Sequence, residues 1–164
     1  TRIKLSNKME TGPFSLLKTA ESAVHLVEEK ARNKKVALTW SVAPGVDIIN
    51  GAQIYIEETI ACFLANSIKY TPDGGSVELA ITDEGEKVKI RVTDTGIGVP
   101  SQDLPHLFEE FFRAKNARAT ERTGTGLGLS IAREVAEKHN GSIWAESQEG
   151  KGASFFLVLP KNAA

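Results

Sequence analysis

The sequence predicts an α+β fold, with three main helices and an essentially antiparallel sheet segregated into layers. Three observations predict it. Apolar residues recur at helical spacing from Ser15 to about Asn33 and from Gln53 to about Tyr70. Two strictly alternating segments, Ser76–Thr82 and Lys87–Thr93, adjoin across the short turn Asp83-Glu84-Gly85-Glu86. Strong turn chemistry, Thr71-Pro72-Asp73-Gly74-Gly75 and Asn140-Gly141, closes the second and third helical segments.

Along the chain, residues 11–14 (TGPF) break the opening segment. The first helix then carries Leu16, Leu17, Ala20, Val24, Leu26, Val27 and Ala31 at helical spacing. Val36–Val42 reads as a strand stopped by Pro44-Gly45, and Asp47–Asn50 offers a short second strand. The second helix turns Ile56, Ile60, Phe63, Leu64 and Ile68 inward. The alternating strands place Val77, Leu79 and Ile81, and Val88, Ile90 and Val92, on one face. Ser101 is positioned to cap a short helix reaching about Phe112, with Pro105 in its first turn. Arg113–Thr123 lacks apolar periodicity. A third helix runs from about Gly126 to Lys138, and Ser142–Ser147 with Ser154–Leu159 form a closing hairpin.

The 164 residues suffice for one domain with its own core. Apolar residues make up 41%, charged residues 25%, and the net charge is −1, which argues against a general nucleic-acid or membrane-surface binder. A single cysteine excludes an internal disulfide and gives no metal cluster. No stretch approaches the ~18 uninterrupted apolar residues of a membrane span. The opening TRIKLSNKME has no signal-peptide core, so the composition points to a cytoplasmic domain.

Three features stand apart from the core. On the second helix, Cys62, Asn66, Lys69 and Tyr70 fall within an arc of about 80–100°, opposite Ile56, Ile60 and Leu64. That face is either a solvated surface or a polar wall. Asp94 ends a strand and enters Thr95-Gly96-Ile97-Gly98-Val99-Pro100. Two glycines let backbone approach a ligand closely, and a carboxylate there can accept from an exocyclic amine such as that of adenine. The alternative is a plain turn capped by Asp94. Finally, Gly124-Thr125-Gly126-Leu127-Gly128 runs into a helix, where unshielded amides suit phosphate. It has neither the Lys-Ser/Thr of a P-loop nor the preceding strand of a dinucleotide fingerprint. The lesser alternative for these glycines is a mobile hinge. Between the last two features, residues 113–123 carry four basic side chains, as a solvated loop or as a lid that orders on phosphate.

In this order, FLANSIKYTPDGG (63–75), DTGIGVP (94–100), LFEEFFR (107–113) and GTGLGLSI (124–131) resemble the nucleotide-binding boxes of sensor histidine kinases. Those kinases belong to the wider group of gyrase, Hsp90 and MutL ATPases. IWAESQEGKGASFFLVLP is similar to the family's closing hairpin. The resemblance implies the Bergerat fold, a two-layer α/β sandwich with three main helices on a mixed, mainly antiparallel five-stranded sheet. It implies ATP and Mg²⁺ as ligands. By position, Asn66 would hold Mg²⁺, Lys69 would contact phosphate, and Tyr70 would lie against the sugar or base. Asp94 would accept the adenine amine, with Gly96, Ile97 and Gly98 around the base. Phe108, Phe111 and Phe112 would anchor the lid, Arg113 would reach the γ-phosphate, and Gly124, Thr125, Gly126, Leu127 and Gly128 would surround the phosphates.

The family usually has Asn one turn before Asn66, or Glu where water is activated. Here Cys62 is a poor partner for hard Mg²⁺ and a poor base. Family acceptor histidines are followed by an acidic residue, which none of His25, His106 and His139 is. The resemblance therefore implies an acceptor on an upstream dimerisation domain. Residues 1–10 would be the end of its last helix, residues 11–164 the catalytic domain, and a response regulator the downstream partner. No nucleic acid and no direct membrane contact are expected. The competing readings are a regulatory nucleotide module with weak transfer, a gyrase- or MutL-like ATPase, and an interaction domain.

Overall fold

The computed structural model describes residues 9–109 and 127–162. In chain order it contains β1 (Gly12–Ser15), α1 (Leu16–Lys34), β2 (Ala37–Val42), β3 (Ile48–Gly51), α2 (Gln53–Lys69), β4 (Ser76–Asp83) and β5 (Lys87–Asp94). A 3₁₀ turn at Leu104–His106, α3 (Leu127–Lys138), β6 (Ser142–Ser147) and β7 (Ala153–Pro160) follow. Five strands form one sheet in the order β2-β4-β5-β7-β6. β2 runs parallel to β4, and the remaining pairings are antiparallel, so the sheet is mixed and mainly antiparallel as expected.

The register explains the core. Val88, Ile90 and Val92 pair with Leu159, Leu157 and Phe155 of β7, and all six are buried. Val77, Leu79 and Ile81 extend this face into β4. The helices cover it, with α2 over β4 and β5 and α3 over β6 and β7. The inward stripe of α2 is buried as its spacing predicts, and Phe63 stacks on Phe155 at 5.5 Å between ring centroids. Truncating such a ring typically costs about 3–5 kcal/mol. On the outer face Trp144 stacks on Phe156 at 4.8 Å.

Three expectations change. Residues 11–14 do not simply break the chain. Gly12–Ser15 pairs antiparallel with β3 in a separate two-stranded sheet, from Gly12 opposite Gly51 to Ser15 opposite Ile48. An edge strand tolerates Pro13, and Phe14 is buried in the core. In α1, Leu17 and Leu26 are 45% and 63% exposed. Each falls about 20° outside the arc that buries Leu16, Thr19, Ala23 and Val24. The helix expected from Ser101 is a single 3₁₀ turn among the described residues. Asp103 precedes it without a side-chain cap. His106 donates to Asp103, Leu107 to Leu104 and Glu109 to His106, all three residues apart.

Candidate functional site

The polar face of α2 survives folding. Cys62, Asn66 and Tyr70 are partly buried and Lys69 is exposed. The ammonium of Lys69 lies 5.9 Å from the Tyr70 ring centroid. Asn66 Nδ2 donates back to the Cys62 carbonyl at 3.1 Å and lies 3.5 Å from Cys62 Sγ. This fixes the amide's orientation and leaves Oδ1, a hard neutral donor, without a partner among the described residues. Burial pushes the Cys62 thiol up to about 11, against the opposing effects of Asn66 and Lys69. At neutral pH it is a protonated thiol, neither a base nor a ligand for a hard cation.

Asp94 closes β5 where that strand meets the start of β7, and it is only 7% exposed. The Gly96 and Ala153 amides donate to its Oδ1 at 2.8 and 3.1 Å. No described residue donates to Oδ2 at hydrogen-bonding geometry. The buried Ser67 hydroxyl of α2, itself without a partner at such geometry, helps to lower the carboxyl's pKa. Desolvation outweighs Ser67 and the two amides, so the pKa stands above its ordinary value. Asp94 is thus a buried acceptor with one oxygen anchored and the other available.

The loop after Asp94 packs backbone to backbone. Ile97 N donates to the Tyr70 carbonyl at 3.1 Å, and Gly150 N to the Ile97 carbonyl at 2.6 Å. A β-carbon at Gly96 would collide with the Tyr70 carbonyl oxygen. At Gly98, with φ +72°, it would collide with the Gln148 carbonyl. Whatever room these glycines leave for a base, a side chain at either position would first meet the chain itself. Phe108 is buried edge-on to Phe155, at 6.5 Å, as a packing residue.

Gly128, in the first turn of α3, lies against Cys62. The fold therefore gathers Asn66, Lys69, Tyr70, Asp94, Gly96, Ile97 and Gly128 around the C-terminal half of α2. Phe111, Phe112, Arg113, Gly124, Thr125, Gly126 and the lid between them lie outside the described residues, as do residues 1–8 and the side chain of Leu127. Sequence reasoning missed Ser67, Ala153 and His139. His139 is 1% exposed. It accepts the Ala52 amide on Nε2 at 2.9 Å and donates from Nδ1 to the Val135 carbonyl at 2.8 Å, which fixes its tautomer. Nothing local in the sequence signals these long-range partners. Among the described residues no helix is long and apolar enough to cross a membrane.

Residues 51–163 match the family described as histidine kinase-, DNA gyrase B- and HSP90-like ATPase. This chain belongs to that family. The sensor histidine kinase WalK of Bacillus subtilis (strain 168) is 42% identical over 107 residues, which are 64% of this chain and 18% of that protein. The sensor-like histidine kinase SenX3 of Mycolicibacterium smegmatis is 38% identical over 131 residues, 80% of this chain and 34% of that protein. The chain thus spans about a third or less of the length of these relatives. The catalytic domain of the histidine kinase ThkA superposes with a TM-score of 0.83 at 28% identity, covering 94% of this chain and 98% of that domain. As a member of this ATPase family, the chain is an ATP-binding catalytic domain of the sensor-kinase type.

Proposed function

We propose that this domain binds ATP with Mg²⁺ in the pocket around Asn66 and Asp94 and delivers the γ-phosphate to a histidine on a separate dimerisation domain. A response-regulator aspartate would then receive it. On this reading the domain works in the cytoplasm, within a longer kinase. The observation that carries it is the divided carboxylate of Asp94, with two main-chain amides on Oδ1 and no described donor at hydrogen-bonding geometry on Oδ2. An exocyclic amine is a fitting partner for that second oxygen.

Asn66 Oδ1 suits a cation that keeps most of its water and phosphate ligands, as Mg²⁺ does. Bound there, the ion would neutralise charge on the phosphates. Lys69 and Arg113 would add cationic contacts to the same oxygens. Gly124, Thr125, Gly126, Leu127 and Gly128 would border them, and Tyr70, Gly96, Ile97 and Gly98 would border the nucleoside. The protonated Cys62 favours transfer to a partner over hydrolysis, because the position offers no base to activate water.

Two measurements test the reading. Calorimetry should show ATP binding that Mg²⁺ strengthens, with Asn66→Ala losing the magnesium effect and Asp94→Asn losing affinity. Labelled ATP with a separately supplied histidine-acceptor domain should place acid-labile label on that domain. Unchanged binding in both variants would refute the pocket. Steady phosphate release in place of transfer would replace the kinase reading with that of an ATPase.

A further inference from the structure

Gly128 is the third glycine of its run, yet its backbone is already that of α3. It is not among the residues with positive φ. Nothing in its conformation demands glycine, and alanine ordinarily favours a helix. What demands glycine is Cys62. A β-carbon at position 128 would lie 2.8 Å from Cys62 Sγ, inside the closest approach such atoms make. The sulfur is one bond from the Cβ of α2, so only rotation about χ1 can move it, and one of the three staggered positions is closed by the preceding helical turn. That rotation would take Sγ away from Asn66 Nδ2, 3.5 Å distant.

We infer that Gly128 and Cys62 together form a positioning contact for Asn66, in which the bare Cα of α3 lets the sulfur rest against the Asn66 amide and so aims Oδ1 into the pocket. This rests on the proposed role of Asn66 at the metal. It gives the thiol at position 62 a structural role. The sulfur is small enough for α3 to close onto α2, and the Cys62 carbonyl and sulfur together hold the Asn66 NH₂ group. The start of α3 and the candidate metal donor are thereby one mechanical unit.

The test is a double-mutant cycle read as the gain in ATP affinity on adding Mg²⁺, with thermal melts confirming folding. Gly128→Ala is expected to cut that gain roughly fivefold, over and above any loss of metal-free ATP affinity that it causes as a residue bordering the phosphates. In a Cys62→Ala background the same change is expected to cost nothing further, because the void accepts the methyl. Cys62→Ser, shorter and still polar, is expected to retain most of the gain. An equal Gly128→Ala cost in both backgrounds, or an equal loss with and without Mg²⁺, would overturn the inference. Asn66→Ala separates the two levels. If it leaves the magnesium gain intact, the site reading fails and the inference with it. If it abolishes the gain while the cycle is additive, the inference alone fails.

Discussion

The amide of Ala153 donates to Asp94 Oδ1 across 3.1 Å, so the closing hairpin holds a carboxylate supplied by the middle of the chain. Gly96 N shares that oxygen at 2.8 Å. In Asp94→Asn the amide oxygen must stay where the two N–H groups point, which turns the new NH₂ group toward the ligand. Donor then faces donor. ATP affinity is expected to fall about 10–100-fold, the scale of a lost hydrogen bond to a charged group. The melting temperature should hold or rise, because no charge remains to be desolvated. Calorimetry beside a thermal melt checks both, and retained affinity contradicts the adenine-amine assignment.

Acid should weaken binding earlier than an ordinary aspartate would allow. Burial raises the Asp94 pKa above 3.8 in the folded state. The carboxyl's contribution to stability is therefore greatest at low pH and is lost as pH rises from 3.8 through the folded pKa. Binding has the opposite sign: two N–H groups hold Oδ1, so the proton goes to Oδ2 and puts a donor where the amine needs an acceptor. Affinity should drop on acidification with a midpoint above 3.8. Comparing wild type with Asp94→Asn at each pH cancels ionisation of the nucleotide. Parallel curves for the two proteins would assign the effect to another group.

Gly96→Ala tests the fit of the loop against α2. The methyl would meet the Tyr70 carbonyl and, at 3.0 Å, Asp94 Oδ1. A loss of about 2–3 kcal/mol is expected from overpacking against backbone. Gly12→Ala is the control, since nothing lies within 4 Å of that position. It should shift stability by no more than about 0.5 kcal/mol. Urea unfolding of the two variants measures the difference, and equal effects would mean the loop yields.

His139→Leu should strand the Ala52 amide in the interior, since the ring nitrogen at 2.9 Å is its acceptor. The cost of an orphaned buried donor is about 1–3 kcal/mol. For a domain of this size that corresponds to a fall of roughly 2–12 °C in Tm. A melt within 1 °C of wild type, on the order of the reproducibility of such a scan, would show that water replaces the imidazole.

Much of this architecture is legible in the sequence where the signal is local. Val77, Leu79 and Ile81 alternate because one sheet face is buried, and Ile56, Ile60 and Leu64 repeat because one helix face is. Asp94 stands out because a carboxylate at a strand end precedes two glycines. What escapes is settled between distant segments. Gly12 and Pro13 read as a break until β3 supplies a partner. That Gly96 also packs against the Tyr70 carbonyl is not visible locally, because the end of α2 supplies that contact. His139 resembles any helix-end histidine, because Ala52 lies 87 residues away.

The separation between Asp94 and Ala153 has one more consequence. Their hydrogen bond closes a span of 59 residues, and that between Ala52 and His139 closes 87. Loop-closure entropy opposes both until the sheet between them has formed. Nucleotide affinity therefore reports the assembly state of the whole domain, not of a loop. A chain stopped before β7 would keep every motif residue yet lose the Ala153 amide from the carboxylate. Ligand bound in the proposed pocket would therefore stabilise the fully assembled domain over a partly assembled chain.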